Sequence, residues 1–335
     1  MSTEFADYLK IIARGPTLSR SLTREEAEIA MGMVLDGKVD PEQLGGFLLV
    51  LRQRGETADE FAGFVDATKQ RMTLPTSFSK PDIDWPTYAD RHRQQPWYVL
   101  AALLLAENGI SVFMHGIEGE HKDCAPTRPV LRALGIELCS GLDDAAERLT
   151  KSGFAYAGLE TFAPETETLF HLKPKLGVRS VANTFVRDLN PFGAQLAMVG
   201  IVHSAYRPQH QETLRLLGQS RAAVFKGIGG EVHRNPYKAG RAAILLNGEP
   251  GEESWPALVS GEAFLWRQES LAPDLVAGVW QGETEHPPAV ASITATAAIA
   301  LRLLGRANDI AEADALAGAM WQTHLKTVSQ TALAG

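Results

Sequence analysis

Through the first seventy positions, apolar residues recur at the three-to-four-residue spacing of amphipathic helices. Thr23, with Glu26 three residues on, makes a capping-box signature, and Ala27, Ala30, Met31, Met33 and Val34 follow at helical spacing. Asp36-Gly37 ends that helix. Asp40-Pro41 opens the next, with proline at the first helical position, and Leu44, Phe47, Leu48 and Leu51 line one face. Gly45-Gly46 are expected to allow a close helix approach, and Met31 and Met33 read as core filler. A further helix is expected over 57–72, capped by Thr57 with Glu60. Residues 1–73 are therefore expected to form a compact all-helical domain.

Beyond them the texture changes. An apolar helical stretch over 96–108 leads into a short buried-strand pattern at 110–114, punctuated by His115-Gly116. A helix is expected over 129–134, ending at Gly135, and an extended pattern resumes at 136–138. Two more strands are expected at 196–202 and 222–226, separated by a helix over 208–217. Strands and helices alternating in this way imply right-handed βαβ units and a mainly parallel sheet. Helices over 289–304 and 310–325 close the chain. The expected fold class is α/β: a small all-helical domain plus a larger α/β domain with a mainly parallel central sheet.

Composition fits this picture, since 45% hydrophobic and 21% charged residues exclude general disorder in a chain of 335 residues. The two cysteines, Cys124 and Cys139, are too few for a disulfide framework, and the polar, acidic N-terminus lacks the apolar core of a signal peptide. Together they lead to the expectation of a cytoplasmic protein. No apolar run has the length of about 18 residues that spans a bilayer, so no membrane partner is expected. The net charge of −8 argues, taken as a mean, against a polyanionic partner. Its distribution argues otherwise. Residues 1–90 carry −5, residues 91–241 carry +4 and residues 242–335 carry −7. Within 168–241 there are eleven Lys/Arg, three acids, and four of the nine histidines. Those histidines (His171, His203, His210 and His233) lack metal-ligand spacing, so no zinc site is expected.

Several motifs then carry a resemblance. The stretches Leu22-Thr-Arg-Glu-Glu-Ala, Gln43-Leu-Gly-Gly-Phe-Leu-Leu and Arg52-Gln-Arg-Gly-Glu-Thr57, followed by His115-Gly116 and Leu176-Gly-Val-Arg-Ser-Val-Ala-Asn183, resemble anthranilate phosphoribosyltransferase and pyrimidine nucleoside phosphorylases. So do Leu189-Asn190-Pro191, the 227–231 loop and Thr296-Ala-Ala-Ile-Ala-Leu-Arg-Leu-Leu-Gly305. The resemblance implies a helical domain completed by an inserted segment at about 164–190, an α/β domain formed by 74–163 and 191–335 that carries the cleft, and homodimers formed through the helical domains.

The departures from that family bear on function. The family binds phosphoribosyl pyrophosphate with a glycine-rich loop whose backbone N–H groups approach the pyrophosphate. Here the equivalent stretch, 86–96, has no glycine and carries Arg91, His92 and Arg93. The family's magnesium-binding Asp-Glu pair becomes Gly230-Glu231, leaving one carboxylate. Lys173 falls where the family's anthranilate-binding arginine sits, Lys175 follows it, Arg179 and Asn183 are kept, and Lys226 opens a loop with Gly227 and Gly229. These residues, with His115, are the expected anion-binding set. Long cations suit an extended phosphate backbone. Tyr88, Trp97 and Tyr98 lie beside the basic stretch, where aromatics can stack bases, although Trp97 and Tyr98 fit the packing face of the following helix better. The pattern resembles the YbiB-type paralogues, which implies a nucleic-acid binder for single-stranded DNA or RNA, with no cofactor. The alternative is a phosphoribosyl or glycosyl transferase of altered specificity, using a phosphoribosyl pyrophosphate-type donor and Mg²⁺ held by Glu231.

Overall fold

The computed structural model describes residues 3–15, 17–89, 93–118 and 127–334. Four helices open the chain: α1 (Thr3–Ala13), α2 (Arg24–Leu35), α3 (Pro41–Arg54) and α4 (Ala58–Lys69). Reciprocal capping boxes, Thr23 with Glu26 and Thr57 with Glu60, start α2 and α4, and Asp40 with Gln43 starts α3 ahead of Pro41. Each box satisfies backbone donors that a helix start otherwise leaves open. The close helix approach is at Gly63 and not at Gly45-Gly46. A Cβ on Gly63 would overlap the Arg24 carbonyl, whereas Gly46 faces open space and Gly45 meets only Leu176 at 3.9 Å.

The α/β part alternates as β1 (Ile83–Thr87), α5 (Tyr98–Glu107), β2 (Val112–Gly116), α6 (Thr127–Ala133), α7 (Leu142–Ser152) and β3 (Phe154–Gly158). Four short helices follow: α8 (Leu159–Phe162), α9 (Pro164–Thr168), α10 (Lys173–Leu176) and α11 (Ala182–Phe185). Then come β4 (Leu196–Ile201), α12 (Arg207–Leu216), β5 (Arg221–Lys226), β6 (Gly240–Leu246), β7 (Glu249–Trp255), α13 (Pro273–Trp280), α14 (Pro287–Leu303) and α15 (Ile310–Ala334). One seven-stranded sheet has the order β3-β2-β1-β4-β5-β6-β7; its first five strands are parallel, and β6 and β7 are antiparallel. The α/β class with a small helical domain is therefore the observed one.

Some local expectations need correction. Residues 136–138 form no strand. Ile136 and Leu138 pack on the core as single anchors, and only Cys139 bridges β3, at Ala157. Pro86 lies inside β1 and not in the loop after it. The hairpin β6–β7 turns at Asn247 and Gly248, both at positive φ (55° and 81°), the conformation Asn-Gly adopts in two-residue hairpins. Its outer strand, β7, forms one edge of the sheet and carries Glu249, Pro250 and Glu252 on exposed positions, with Glu253 half-buried against Arg302.

Two large apolar clusters flank the sheet. One joins α5, α13, α14 and α15 to the face bearing Ile83, Met114, Met198 and Phe225. The other joins the N-terminal helices to residues of 159–192 and to Phe113, Ala155 and Ala157 on the opposite face. Among the described residues, no helix is long and apolar enough to cross a membrane.

Candidate functional site

Strand β1 pairs with β2 over its whole length but with β4 only at Ile83 and Asp84. Pro86 has no N–H to offer a ladder, and the strands part before it, where the strand order reverses. In open α/β sheets such a crevice is the usual ligand site. Here protein groups occupy it. Glu231, 1% exposed, accepts a hydrogen bond from the Ala89 N–H at 2.6 Å. The buried Arg187 guanidinium donates to the Gly200 and Gly230 carbonyls at 2.8 and 3.1 Å. Burial pulls Arg187 below the ordinary arginine range, while the charges of Glu231 and Asp188 pull the other way. Arg179 donates to the Ala89 carbonyl at 2.9 Å. His115 is wholly buried, its Nδ1 2.7 Å from the Tyr88 hydroxyl and its Nε2 3.2 Å from the Asp84 carboxylate. Desolvation holds Tyr88 well above its usual pKa, so the phenol keeps its proton. The loop after β5 closes the plug. A Cβ on Gly227 would overlap the Glu231 carbonyl, and Gly230 adopts φ 87°, a conformation that favours glycine.

An open cleft of about 1340 Å³ lies next to this plugged crevice. It sits at the carboxyl ends of β4 and β5, beside the start of β6 and the end of β7. Arg93, Arg207, Lys226, Lys238, Arg241 and Arg267 line it, and no described Asp or Glu does. Arg207 donates to the Arg241 carbonyl at 3.2 Å, and Arg241 pairs with Glu252 at 3.4 Å. No ion pair to a described carboxylate holds Lys226, Lys238 or Arg267. Arg234, a further lining residue, is buried and bound through both terminal nitrogens to Asp314 at 2.6 and 3.2 Å. It is structural. A segment between β7 and α13 contributes Phe264, Leu265 and Trp266 next to Arg267.

Of the residues singled out in the sequence, Arg93, Lys226, Gly227 and Gly229 line this cleft. His115, Arg179 and Glu231 belong to the plug beside it. Lys173 and Lys175 lie on α10 and Asn183 on α11, and none of the three lines the cleft. Arg91 and His92 fall outside the described residues. Tyr88, Trp97 and Tyr98 are fully buried, which makes them packing residues and not an open stacking platform. Sequence reasoning did not single out Arg207, Lys238, Arg241 or Arg267. The Asn247-Gly248 turn was the signal for the hairpin that brings Arg241 to the cleft.

The residues do not fit a metal ion at Glu231. Its carboxylate is buried on the Ala89 N–H, and no group of three His, Cys, Asp or Glu able to hold a metal occurs among the described residues.

Comparisons with known proteins agree with this architecture. Residues 6–72 match the model of the glycosyl transferase family helical bundle domain, and residues 99–323 match that of the glycosyl transferase family α/β domain. Anthranilate phosphoribosyltransferase of Nitratidesulfovibrio vulgaris is 30% identical over 73% of this chain and 71% of its own. That of Beijerinckia indica is 30% identical over 68% of this chain, the match spanning 65% of its length. The Escherichia coli protein YbiB is 29% identical over 71% of this chain and 76% of its own. In structure, anthranilate phosphoribosyltransferase from Thermus thermophilus superposes with a TM-score of 0.77 at 23% identity, covering 96% of this chain and 98% of that one. The Saccharomyces cerevisiae enzyme, in its complex with PRPP and Mg, gives 0.79 at 15% identity, covering 98% and 97%. The chain therefore belongs to the glycosyl transferase family that joins a helical bundle to an α/β domain, and it is anthranilate phosphoribosyltransferase-like.

Proposed function

We propose that the protein binds nucleic acid, as single-stranded DNA or RNA, through the cationic cleft, without a cofactor and as a homodimer offering two such clefts. One observation carries this reading: six solvent-facing cations surround an open cleft that no described carboxylate lines. Long side chains spread over the rim of a cleft of about 1340 Å³ suit successive phosphates, each of which releases counterions when neutralised. A single compact pyrophosphate ester asks instead for convergent, preorganised donors. The plugged crevice supports the same view, because Glu231 and Arg187 fill the place where a small ligand would enter an open α/β sheet. Ile29 and Leu49, 51% and 42% exposed on α2 and α3, leave apolar surface on the helical bundle for pairing two copies. The family's degraded phosphoribosyl pyrophosphate site is part of this proposal.

Titration of a fluorescent oligodeoxythymidine at two salt concentrations tests it. Binding that weakens steeply with salt, and by at least about tenfold in Lys226→Glu combined with Arg241→Glu, is expected. No binding at low salt overturns it. The second reading is a phosphoribosyl or glycosyl transferase of altered specificity, favoured by the several relatives that are anthranilate phosphoribosyltransferases. Calorimetry with phosphoribosyl pyrophosphate and Mg²⁺ separates the two, since the absence of heat at millimolar ligand ends the transferase reading for that donor.

A further inference from the structure

The cleft is lined by two kinds of side chain. Arg207, Lys226 and Arg241 come from the ends of the strands and the start of α12, while the segment 256–272 adds Leu265, which is 59% exposed, with Arg267 two residues on. A lone exposed leucine needs no explanation, but this one projects from a segment fastened at both ends. At its start, the Leu258 and Val259 N–H groups donate to the Pro236 carbonyl at 2.8 and 3.0 Å. At its end, the buried Glu269 carboxylate accepts from the Gln95 N–H at 2.7 Å and from Trp97 Nε1 at 3.2 Å, and Gln95 Nε2 donates to the Ser270 and Ala272 carbonyls. The neighbours of Leu265 turn inward and set its position: Phe264 packs edge-on against Trp266 at 4.9 Å and against His286 at 5.3 Å. With those aromatics largely buried, Leu265 is the exposed apolar side chain of a fastened segment that shares the cleft with the cations.

Resting on the nucleic-acid reading above, we infer that Leu265 is a base-contacting wedge, so that the cleft distinguishes a strand with exposed, unstacked bases from any other polyanion. Phosphates lie along Lys226, Arg207 and Arg241, and the bases turn onto Leu265. An apolar side chain held rigid against a base face separates neighbouring bases, as wedge residues do between base steps. It prefers no base, because every base has an apolar face.

The full-length chain is titrated by fluorescence anisotropy with two oligomers of equal length, one of deoxythymidine and one of abasic tetrahydrofuran sugars carrying the same phosphates. The wild type is expected to favour the base-bearing strand by about tenfold, in keeping with one good base contact. In Leu265→Ala that preference is expected to fall to about twofold, with abasic binding unchanged. Lys226→Ala is expected to weaken both strands alike. A 2-aminopurine placed mid-strand is expected to brighten on binding wild type, as its neighbours unstack, and to stay dim with Leu265→Ala. Equal affinity of the wild type for both strands, or an undiminished preference in Leu265→Ala, overturns the wedge and leaves the charge-based reading standing. Absence of binding to either strand overturns both.

Discussion

Arg187 and Lys226 are both basic residues of one basic stretch, and burial alone assigns them opposite tasks. Arg187 donates its guanidinium to two backbone carbonyls, joining the end of β4 to the glycine loop after β5. Truncation of Arg187 to alanine leaves those carbonyls without donors and opens a void. It is expected to cost about 3 kcal/mol, read as a lower urea midpoint at unchanged slope. Lys226 stands exposed at the end of β5 with no described carboxylate to hold it. Lys226→Ala is expected to leave the urea midpoint in place while weakening single-strand binding about threefold to tenfold and flattening the salt dependence by about one phosphate. Sequence shows that both residues are cationic. It cannot show which polar groups acquire buried partners, since Arg187, Glu231 and His115 meet their partners from distant parts of the chain. For the same reason the kept residue Arg179 became a brace on Ala89 and not part of the open cleft.

Among elements, helix caps were the most legible features, because Thr23 with Glu26 and Thr57 with Glu60 act within one turn. Strands β1, β3, β6 and β7 were not read, being five to seven residues each and dependent on neighbours for their pairing. Two long-range fastenings titrate. His324 ties α15 to the rest, its Nδ1 2.9 Å from Glu107 of α5, its Nε2 2.8 Å from the Trp280 carbonyl of α13, and its ring 3.8 Å from the Trp280 ring. Burial disfavours its charge, but the Glu107 hydrogen bond, the Trp280 carbonyl and the Glu107 charge outweigh that and raise its pKa above 6.5. With the folded pKa raised, this stabilisation is complete below pH 6.5 and is lost as pH rises through the folded value. The melting-temperature gap between wild type and His324→Gln is expected to be widest near pH 6 and to narrow in alkali. Glu269 behaves as a burial penalty. Desolvation lifts it from 4.5 to about 7 against the hydrogen bonds from Gln95 and Trp97. The folded chain thus holds this proton more tightly than the unfolded chain, and stability contributed here declines between pH 4.5 and 7. Thermal melts across that window should show wild type losing ground to Glu269→Gln, which has no proton to release.

For the molecule as a whole, the net charge of −8 coexists with a cleft of one sign. The charge map made this partly legible, because 168–241 supplies Arg207, Lys226 and Lys238, with Arg241 at its end. Arg267 escaped it. That residue lies in the acidic last third, and only the folding of the segment after β7 brings it to the cleft. If all six cations meet phosphates, the slope of log affinity against log salt for a single strand is expected to reach about −4, which titrations at several salt concentrations measure. If the proposed binding holds, a long strand engaging such clefts would crowd many copies side by side, and crowding exposes any chain to association through its open sheet edge. Strand β7 guards against this outcome. Its exposed Glu249 repels a like edge, and Pro250 withholds a ladder donor. Copies gathered along such a strand are then expected not to fuse edge to edge and to disperse when it is withdrawn.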